Sequence, residues 1–217
     1  MNQIKVDEIL SILRKSYKKK SMLGSIKKKS PFYILISTIL SIRNRDENTI
    51  KVVKNLFSKY KSIKSLANAN IKDLERTIKK SGFYKIKAKR IKEVSRILLE
   101  EYNGQVPNTL EELIKLPGVG PKVAACTLVY AFNEEEIPVD IHVEVISKRL
   151  GWTEEKTANK IWVDLKNKLH KKYWLYINEL FVLHGKEICL TRSPKCNICP
   201  ISIHCSYYSD TYSLKSK

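Results

Sequence analysis

Hydrophobic residues recur three and four positions apart along nearly the whole chain, which is the spacing that places them on one face of an α-helix. In residues 87–102, for example, Ile91, Val94 and Leu98 fall on one side of a predicted helix. No strand-like alternation extends beyond a few residues, and no tandem repeat is present. The same spacing predicts further helices near residues 9–13, 32–40, 46–57, 70–78, 110–116, 122–132, 140–150, 153–170 and 173–188. The pattern therefore predicts an all-α fold.

The charge of the chain indicates what kind of partner it binds. The 217 residues include 41 Lys and Arg against 22 Asp and Glu, so the formal net charge is +19. A surplus of this size favours a polyanionic partner, and nucleic acid is the first candidate. The alternative is a proteome that is rich in lysine throughout.

The N-terminus and the apolar runs bear on location. The first eight residues have no apolar stretch of the kind that a secretory signal requires. The longest apolar run, residues 32–40, is about half of the roughly 20 residues that a membrane span needs. We therefore expect a cytoplasmic protein, associated with the nucleoid, or a nuclear one if the source is eukaryotic.

A turn with two glycines joins two of the predicted helices at residues 116–122, Leu-Pro-Gly-Val-Gly-Pro-Lys. Glycine permits a positive φ and the close approach of another backbone, so Gly118 and Gly120 suit a tight hairpin. The unpaired amides at the start of the following helix would form an anion site suited to a DNA phosphate. The alternative is an ordinary turn between two helices.

Lys122 lies in the first turn of the helix that follows this hairpin. The positive end of the helix dipole and the neighbouring basic residues disfavour its charged form. A neutral lysine amine is the form that attacks carbon, so Lys122 is a candidate nucleophile. A lysine that binds phosphate is the alternative.

Asp140 follows Lys122 by 18 positions, in the segment Val139-Asp140-Ile141-His142. Its position after Pro138 and before a predicted helix is typical of a helix N-cap. One helix and a return loop separate it from Lys122. That length can bring the two side chains to one cleft, so Asp140 is also a candidate catalytic carboxylate.

Four of the five cysteines crowd near the C-terminus with the spacing C-x6-C-x2-C-x5-C: Cys189, Cys196, Cys199 and Cys205. In a reducing compartment such a group indicates a metal site rather than disulfides. The spacing alone leaves zinc and an iron–sulfur cluster as close competitors. Cys126 stands alone inside a predicted helix and is expected to be a small core residue.

The hairpin at residues 116–122 and the Val-Asp-x-His segment at 139–142 resemble the endonuclease III family, within the helix–hairpin–helix superfamily of DNA glycosylases. The resemblance extends over about residues 32–205. It implies that Lys122 forms a Schiff base with C1′ of deoxyribose and that Asp140 stabilises the developing positive charge. It also implies that the four cysteines bind a four-iron, four-sulfur (4Fe–4S) cluster.

The same resemblance implies a set of residues that contact DNA. Two loops would open the duplex, residues 41–46 with Arg43 and residues 82–84 with Phe83. Arg43 stands where the bacterial enzymes place a glutamine, and Phe83 stands where they place a leucine wedge. A core position is the alternative for Phe83. The remaining candidates are the hairpin glycines 118 and 120, His142, and the basic residues Arg192 and Lys195 of the cysteine loop.

A basic stretch at residues 85–92, at the start of the helix predicted over residues 87–102, is a further candidate surface for phosphate. Its members are Lys85, Lys87, Lys89, Arg90 and Lys92. The alternative is a solvated helix face.

The resemblance implies two helical lobes with the active-site cleft between them. Residues 25–133 would form a helical barrel that contains the hairpin, and residues 1–24 with 134–217 would carry the cluster. The expected protein is a monomeric DNA glycosylase and abasic-site lyase that acts on oxidised pyrimidines and abasic sites in double-stranded DNA. Two alternatives are a monofunctional adenine or mismatch glycosylase of the same superfamily and a non-catalytic, zinc-stabilised DNA-binding protein. Adenine-type relatives carry a further C-terminal domain, which is not expected in a chain that ends soon after Cys205.

Overall fold

The computed structural model describes residues 2–212, in which the regular structure is helical: α-helices, short 3-10 helices and one π-helical segment. No β-strand occurs within this range. The prediction of an all-α fold is confirmed. The chain divides into two compact units, one of Met1–Gly24 with Glu134–Lys217 and one of Ser25–Asn133. A single-turn helix, α2 (Met22–Ser25), includes the first boundary between them.

The unit 25–133 is built around α3 (Pro31–Ser41), the most apolar helix of the unit. Ser30 caps this helix by accepting a hydrogen bond from the amide of Tyr33, and Pro31 occupies its first position. Every residue of α3 from Ile34 to Leu40 is buried, as expected of a helix that is apolar on all sides. Around it lie α4 (Asp46–Lys59), α5 (Ile63–Ala67), α6 (Ile71–Thr77), α7 (Tyr84–Glu101), α8 (Leu110–Lys115) and α9 (Pro121–Thr127).

The hydrophobic spacing of α7 determines how this unit packs. Ile91, Val94 and Leu98 are fully buried, and α5 and α6 pack against this helix. Helix α9 packs against both α3 and α8. The hairpin between α8 and α9 is thus anchored on its inner side by the central helix of the unit.

The other unit has its own core, centred on α12 (Trp174–Glu187). Phe181 of α12 is fully buried and packs against Trp152, with 5.4 Å between the ring centroids. Helices α1 (Gln3–Ser16) and α10 (Ile141–Arg149) pack on α12. The unit also contains α11 (Ala158–Lys168) and α13 (Ser206–Tyr212).

Two predicted helices differ in detail from those observed. The helix predicted over residues 122–132 is α-helical only to Thr127 and continues as a π-helical segment, Leu128–Phe132. The helix predicted from residue 153 begins at Ala158, because Thr157 supplies the cap by accepting from the amide of Lys160. In the described part of the chain, no helix combines the length and the apolar character that crossing a bilayer requires.

Candidate functional site

The predicted hairpin lies between α8 and α9 of the unit 25–133. The Thr109 hydroxyl caps α8 by accepting from the amide of Glu112 at 3.3 Å. After α8, Leu116 is buried, and the amide of Val119 donates to the Leu116 carbonyl at 3.0 Å. This bond closes the turn, and the helix–hairpin–helix motif is confirmed.

Glycine occupies the two positions of the turn for different structural reasons. Gly118 has φ +78°, and a Cβ there would lie 2.5 Å from Cδ of Arg90. Gly120 has φ −90°, which any residue adopts, and no atom lies within 4 Å of the position of its missing Cβ. The fold thus requires glycine at 118, whereas at 120 glycine leaves open space before α9.

Lys122 is the second residue of α9, after Pro121 at the first position. Its side chain is exposed, while Val123 and Ala124 are buried in the core. The first amides of a helix have no partner within the helix, and Pro121 has no amide hydrogen at all. Lys122 therefore stands on the open side of a helix start, next to the space left by Gly120.

Asp140 is the N-cap of α10, as its sequence position predicted. One carboxylate oxygen, Oδ1, accepts from the amides of His142 and Val143, each at 3.0 Å. The preceding segment is held in place because Nδ2 of Asn178 donates to the Pro138 carbonyl at 2.9 Å. Asp140 and Lys122 belong to different units, and their convergence at one site stays a prediction.

His142 packs against the backbone of α12 within its own unit. A Cβ on Gly185 would lie 2.2 Å from Nδ1 of His142, so this approach requires glycine at position 185. The ring is half-buried rather than free in solvent. Its predicted contact with DNA is not tested by this arrangement.

The loops that carry Arg43 and Phe83 lie side by side in the unit 25–133. Phe83 is 58% exposed, so the alternative of a core aromatic is wrong. The guanidinium carbon of Arg43 lies 5.6 Å from the centroid of the Phe83 ring. Both residues have positive φ, 49° and 60° respectively.

The predicted phosphate surface on α7 is only partly correct. Lys85, Lys89 and Arg90 are exposed, but Lys87 is buried and Lys92 donates to the Ala69 carbonyl at 2.8 Å. Lysine has a long apolar stem that can run through a core to reach carbonyl acceptors. Lys87 and Lys92 are therefore engaged within the protein.

The four clustered cysteines line one cavity in the unit of residues 1–24 and 134–217. Among residues 2–212, no three His, Cys, Asp or Glu side chains converge closely enough to hold a single metal ion. A zinc ion would need its thiolates about 2.3 Å from one point. The four thiols share one cavity, which is what a metal group bound by four cysteines requires.

Burial favours the protonated form of three of these thiols. It raises the pKa of Cys199 to about 11 and also raises the pKa values of Cys189 and Cys205. For Cys189 the effect is partly offset by Arg149, whose Nη1 lies 3.1 Å from its Sγ. Since thiolates are the ligand form, metal binding at this site must release protons.

A buried histidine contacts one of the four cysteines. Nε2 of His184 lies 3.5 Å from Sγ of Cys199, and Nδ1 lies 2.9 Å from the Tyr17 hydroxyl. Burial lowers the pKa of His184 to about 4 and raises the pKa of Tyr17 to about 12. The ring is therefore neutral at pH 7, and a hydroxyl donating to Nδ1 leaves the Nε2 hydrogen facing the sulfur.

Arg192 and Lys195 are exposed on the loop between the first two cysteines. The amide of Lys195 donates to the Ile188 carbonyl at 3.0 Å, and this bond closes the loop. Arg149 supports the same loop by donating to the carbonyls of Leu190 and Thr191 at 2.8 and 3.0 Å. The loop thus presents two cations on a braced backbone.

Comparison with known proteins decides the family. Residues 36–171 match the HhH-GPD superfamily of base excision DNA repair proteins. The chain is 47% identical to the endonuclease III of Thermotoga maritima, over 84% of this chain and 85% of that one. It is 37% identical to the endonuclease III of Rickettsia prowazekii, over 85% and 87% of the two chains. The chain belongs to the endonuclease III family.

Solved structures agree with this membership of the endonuclease III family. A trapped endonuclease III–DNA covalent intermediate, with an estranged adenine, matches with a TM-score of 0.87 at 31% identity. The match covers 97% of this chain and 98% of that one. A thermostable thymine-DNA glycosylase matches with a TM-score of 0.84 at 25% identity, covering 95% and 96%. As a member of the endonuclease III family, the chain is a base excision repair enzyme, a DNA glycosylase and abasic-site lyase.

Two residues beside the cysteines were not identified from the sequence. Arg149 contacts Cys189 from 40 positions away, and His184 contacts Cys199 from 15 positions away. Neither residue forms a local motif with its partner. Only the packing of α10 and α12 brings them to the thiols.

Proposed function

We propose that this protein excises oxidised pyrimidines from double-stranded DNA and cleaves the abasic strand by β-elimination, with Lys122 as the nucleophile. The observation that carries the proposal is the exposed amine of Lys122, in the first turn of the helix after the hairpin. The identity to endonuclease III relatives over most of the chain supports it.

In the proposed reaction, the neutral amine of Lys122 attacks C1′ of the damaged nucleoside. The new C–N bond forms as the glycosidic bond breaks, and the base leaves with the bonding electrons and takes up a proton. The sugar opens to an iminium ion. Loss of a proton from C2′ then expels the 3′ phosphate, which cuts the strand.

Asp140 would supply the negative charge that this transition state needs. A carboxylate near C1′ stabilises the positive charge that develops as the base departs. Because both amides bond to Oδ1, Oδ2 is the oxygen that can face the sugar. The cap thus orients the carboxylate, and the mechanism requires it to reach the same carbon as Lys122.

The four cysteines would hold a 4Fe–4S cluster. When bound, the cluster supplies a rigid cross-link between residues that are distant in the chain. Arg149 and His184 would each direct a hydrogen at a ligand sulfur, which stabilises the thiolate form. The braced loop would then present Arg192 and Lys195 to phosphate.

The remaining contacts would bind and open the duplex. The open helix start beside Gly118 and Gly120 suits a DNA phosphate, which positions DNA without reading its sequence. The target nucleotide must leave the base stack before C1′ can be attacked. We propose that Phe83 fills the gap that the flipped nucleotide leaves in the stack, and that Arg43 contacts the partner base. We assign a further DNA contact to His142.

Borohydride trapping on abasic duplex DNA tests the proposal. Borohydride reduces the iminium ion, so the wild-type protein should become covalently attached to the DNA. Lys122→Ala should form no adduct. The control is Lys115→Ala, which removes an exposed lysine that pairs with Glu112 on α8. Full trapping by Lys122→Ala, or none by the wild type, would contradict the assignment.

A further inference from the structure

The two loops proposed to open the duplex are in direct contact with each other. A Cβ on Gly82 would lie 3.2 Å from the carbonyl oxygen of Arg43, and the Arg43 guanidinium faces the Phe83 ring. Arg43 and Phe83 both have left-handed backbone conformations, which residues other than glycine keep only when their surroundings hold them there. Contacts with neighbouring residues must therefore hold both backbones in these conformations.

The ammonium group of Lys87 contacts the backbone at the start of the first loop and the residue just before the second loop. Its side chain is only 3% exposed. Its ammonium group donates to the carbonyls of Leu40 and Ile42, at 2.8 and 2.7 Å, and to the hydroxyl of Ser81, at 2.9 Å. Ile42 immediately precedes Arg43, and Ser81 lies two residues before Phe83. All three hydrogens of the ammonium group are thus used to join the loops.

The burial of the Lys87 ammonium group indicates that its hydrogen bonds are the reason for a lysine at this position. Burial lowers the pKa of Lys87 to about 8, so the charge is unfavourable at this position. An apolar side chain would avoid that penalty, but the Ile42 carbonyl would lose its donor. The Leu40 carbonyl would keep only the longer hydrogen bond from the Ser81 hydroxyl, at 3.5 Å. A lysine here therefore serves the carbonyls and the hydroxyl that it binds.

A second bridge joins the same two loops nearer the surface. Nδ2 of Asn48 donates to Oδ1 of Asn44, at 2.8 Å, and also to the carbonyl of Lys80. Asn44 follows Arg43, and Lys80 precedes Ser81. The loops are therefore joined from the core by Lys87 and from the surface by Asn48.

We propose that Lys87 is a positioning residue that holds the Arg43 and Phe83 loops in the arrangement that enters duplex DNA and holds the partner base. This inference rests on the proposed function. Lys87 itself is buried and does not touch the DNA. Its loss should impair the opening of an intact duplex more than the chemistry at C1′.

The test compares trapping rates on two abasic duplexes. One is intact, and the other lacks the nucleotide opposite the abasic site, so no partner base has to be held. The measured quantity is the ratio of the borohydride trapping rates on the intact and gapped duplexes. Lys87→Met should lower this ratio about tenfold, since small misplacements of positioning groups have large effects on rate. Lys92→Met is the matched control, because Lys92 lies on the same helix and donates to a carbonyl elsewhere.

A fluorescent reporter measures the opening step separately. With 2-aminopurine opposite the abasic site, wild type and Lys92→Met should raise its fluorescence on binding, because the base leaves the stack. Lys87→Met should raise it less at saturating protein. A ratio within about twofold of the wild-type value, with a normal fluorescence rise, would overturn the proposal.

A milder variant covers the case in which Lys87→Met does not fold. Ser81→Ala removes one of the three acceptors and should lower the ratio about threefold, the usual effect of one hydrogen bond. An unfolded Lys87→Met together with a wild-type ratio for Ser81→Ala would also overturn the inference. Failure of the wild type to form any adduct would instead contradict the proposed function.

Discussion

At the scale of single residues, Asp140 has an observed capping role and the catalytic role that we propose for it. It caps α10 through Oδ1, which is a structural role. The cap also limits the positions that the carboxylate can take, and this is what an electrostatic catalyst requires. The stability and the activity should therefore respond differently to different substitutions at this position.

We expect Asp140→Asn to separate these roles. Asparagine is as good an N-cap as aspartate, so the free energy of unfolding should change by less than about 0.5 kcal/mol. Base excision should fall about a hundredfold or more, because the charge at C1′ is lost. Asp140→Ala should lose the activity and also about 1 kcal/mol of stability.

The matched control for Asp140 is Thr157→Ala, which removes the cap of α11 in the same unit. It should lose a similar amount of stability, about 1 kcal/mol, and keep its excision rate. Full activity in Asp140→Asn would show that the carboxylate has only its capping role.

At the scale of elements, the hairpin between α8 and α9 contains two glycines with separate purposes. Gly118 adopts a backbone conformation that disfavours other residues and packs against Arg90. Gly120 has an ordinary conformation and faces open space. The first glycine serves the fold, and the second leaves open space where we propose that a DNA phosphate binds.

Substituting each glycine by alanine should therefore give opposite results. Gly118→Ala should destabilise the protein by about 1–2 kcal/mol, the cost of a left-handed conformation. Gly120→Ala should be neutral or stabilise by up to about 1 kcal/mol, since it restricts the unfolded chain. The same substitution should weaken binding to abasic duplex DNA, because the methyl group occupies the space before α9. Unchanged DNA affinity in Gly120→Ala would argue against phosphate binding at this turn.

The cysteine loop is the element that the proposed cluster would hold together. Cys196→Ala should lose the iron content and the visible absorbance of the purified protein, since a ligand is removed. Cys126→Ala is the control, because Cys126 is buried in α9, outside the cavity that the other four cysteines line. It should keep its iron at a cost of about 1 kcal/mol. Equal iron content in the two variants, or stoichiometric zinc in the wild type, would contradict the assigned cluster.

At the scale of the whole molecule, a net charge of +19 determines how the protein meets DNA. Each lysine or arginine that neutralises a phosphate releases counterions, so the affinity should fall steeply with salt. The exposed cations of the cysteine loop, Arg192 and Lys195, are expected to contribute to this effect.

The double substitution of Arg192 and Lys195 by alanine should reduce the slope of log Kd against log salt by about 2, one for each phosphate contact. The control removes the same charge from two exposed lysines, Lys61 just before α5 and Lys64 within it. Fluorescence anisotropy with a labelled abasic duplex at several salt concentrations measures both slopes. Equal slopes for the two variants would show that the net charge acts without local contacts from the cysteine loop.

The sequence by itself determined those features that depend on neighbours along the chain. Helical spacing predicted the all-α fold, and the hairpin was predicted because glycine permits a positive φ and proline fixes φ. The cap at Asp140 was predicted because aspartate just before a helix is a favoured N-cap. The close spacing of the four cysteines likewise indicated a shared site, and all four line one cavity.

Only the tertiary structure decided which side chains are buried and what they contact. Lys87 belongs to a basic stretch but lies in the core, where its partners are up to 47 positions away. Phe83 is aromatic but exposed, and it lies at a left-handed turn before α7. Burial depends on contacts between distant segments, and local spacing does not encode those contacts.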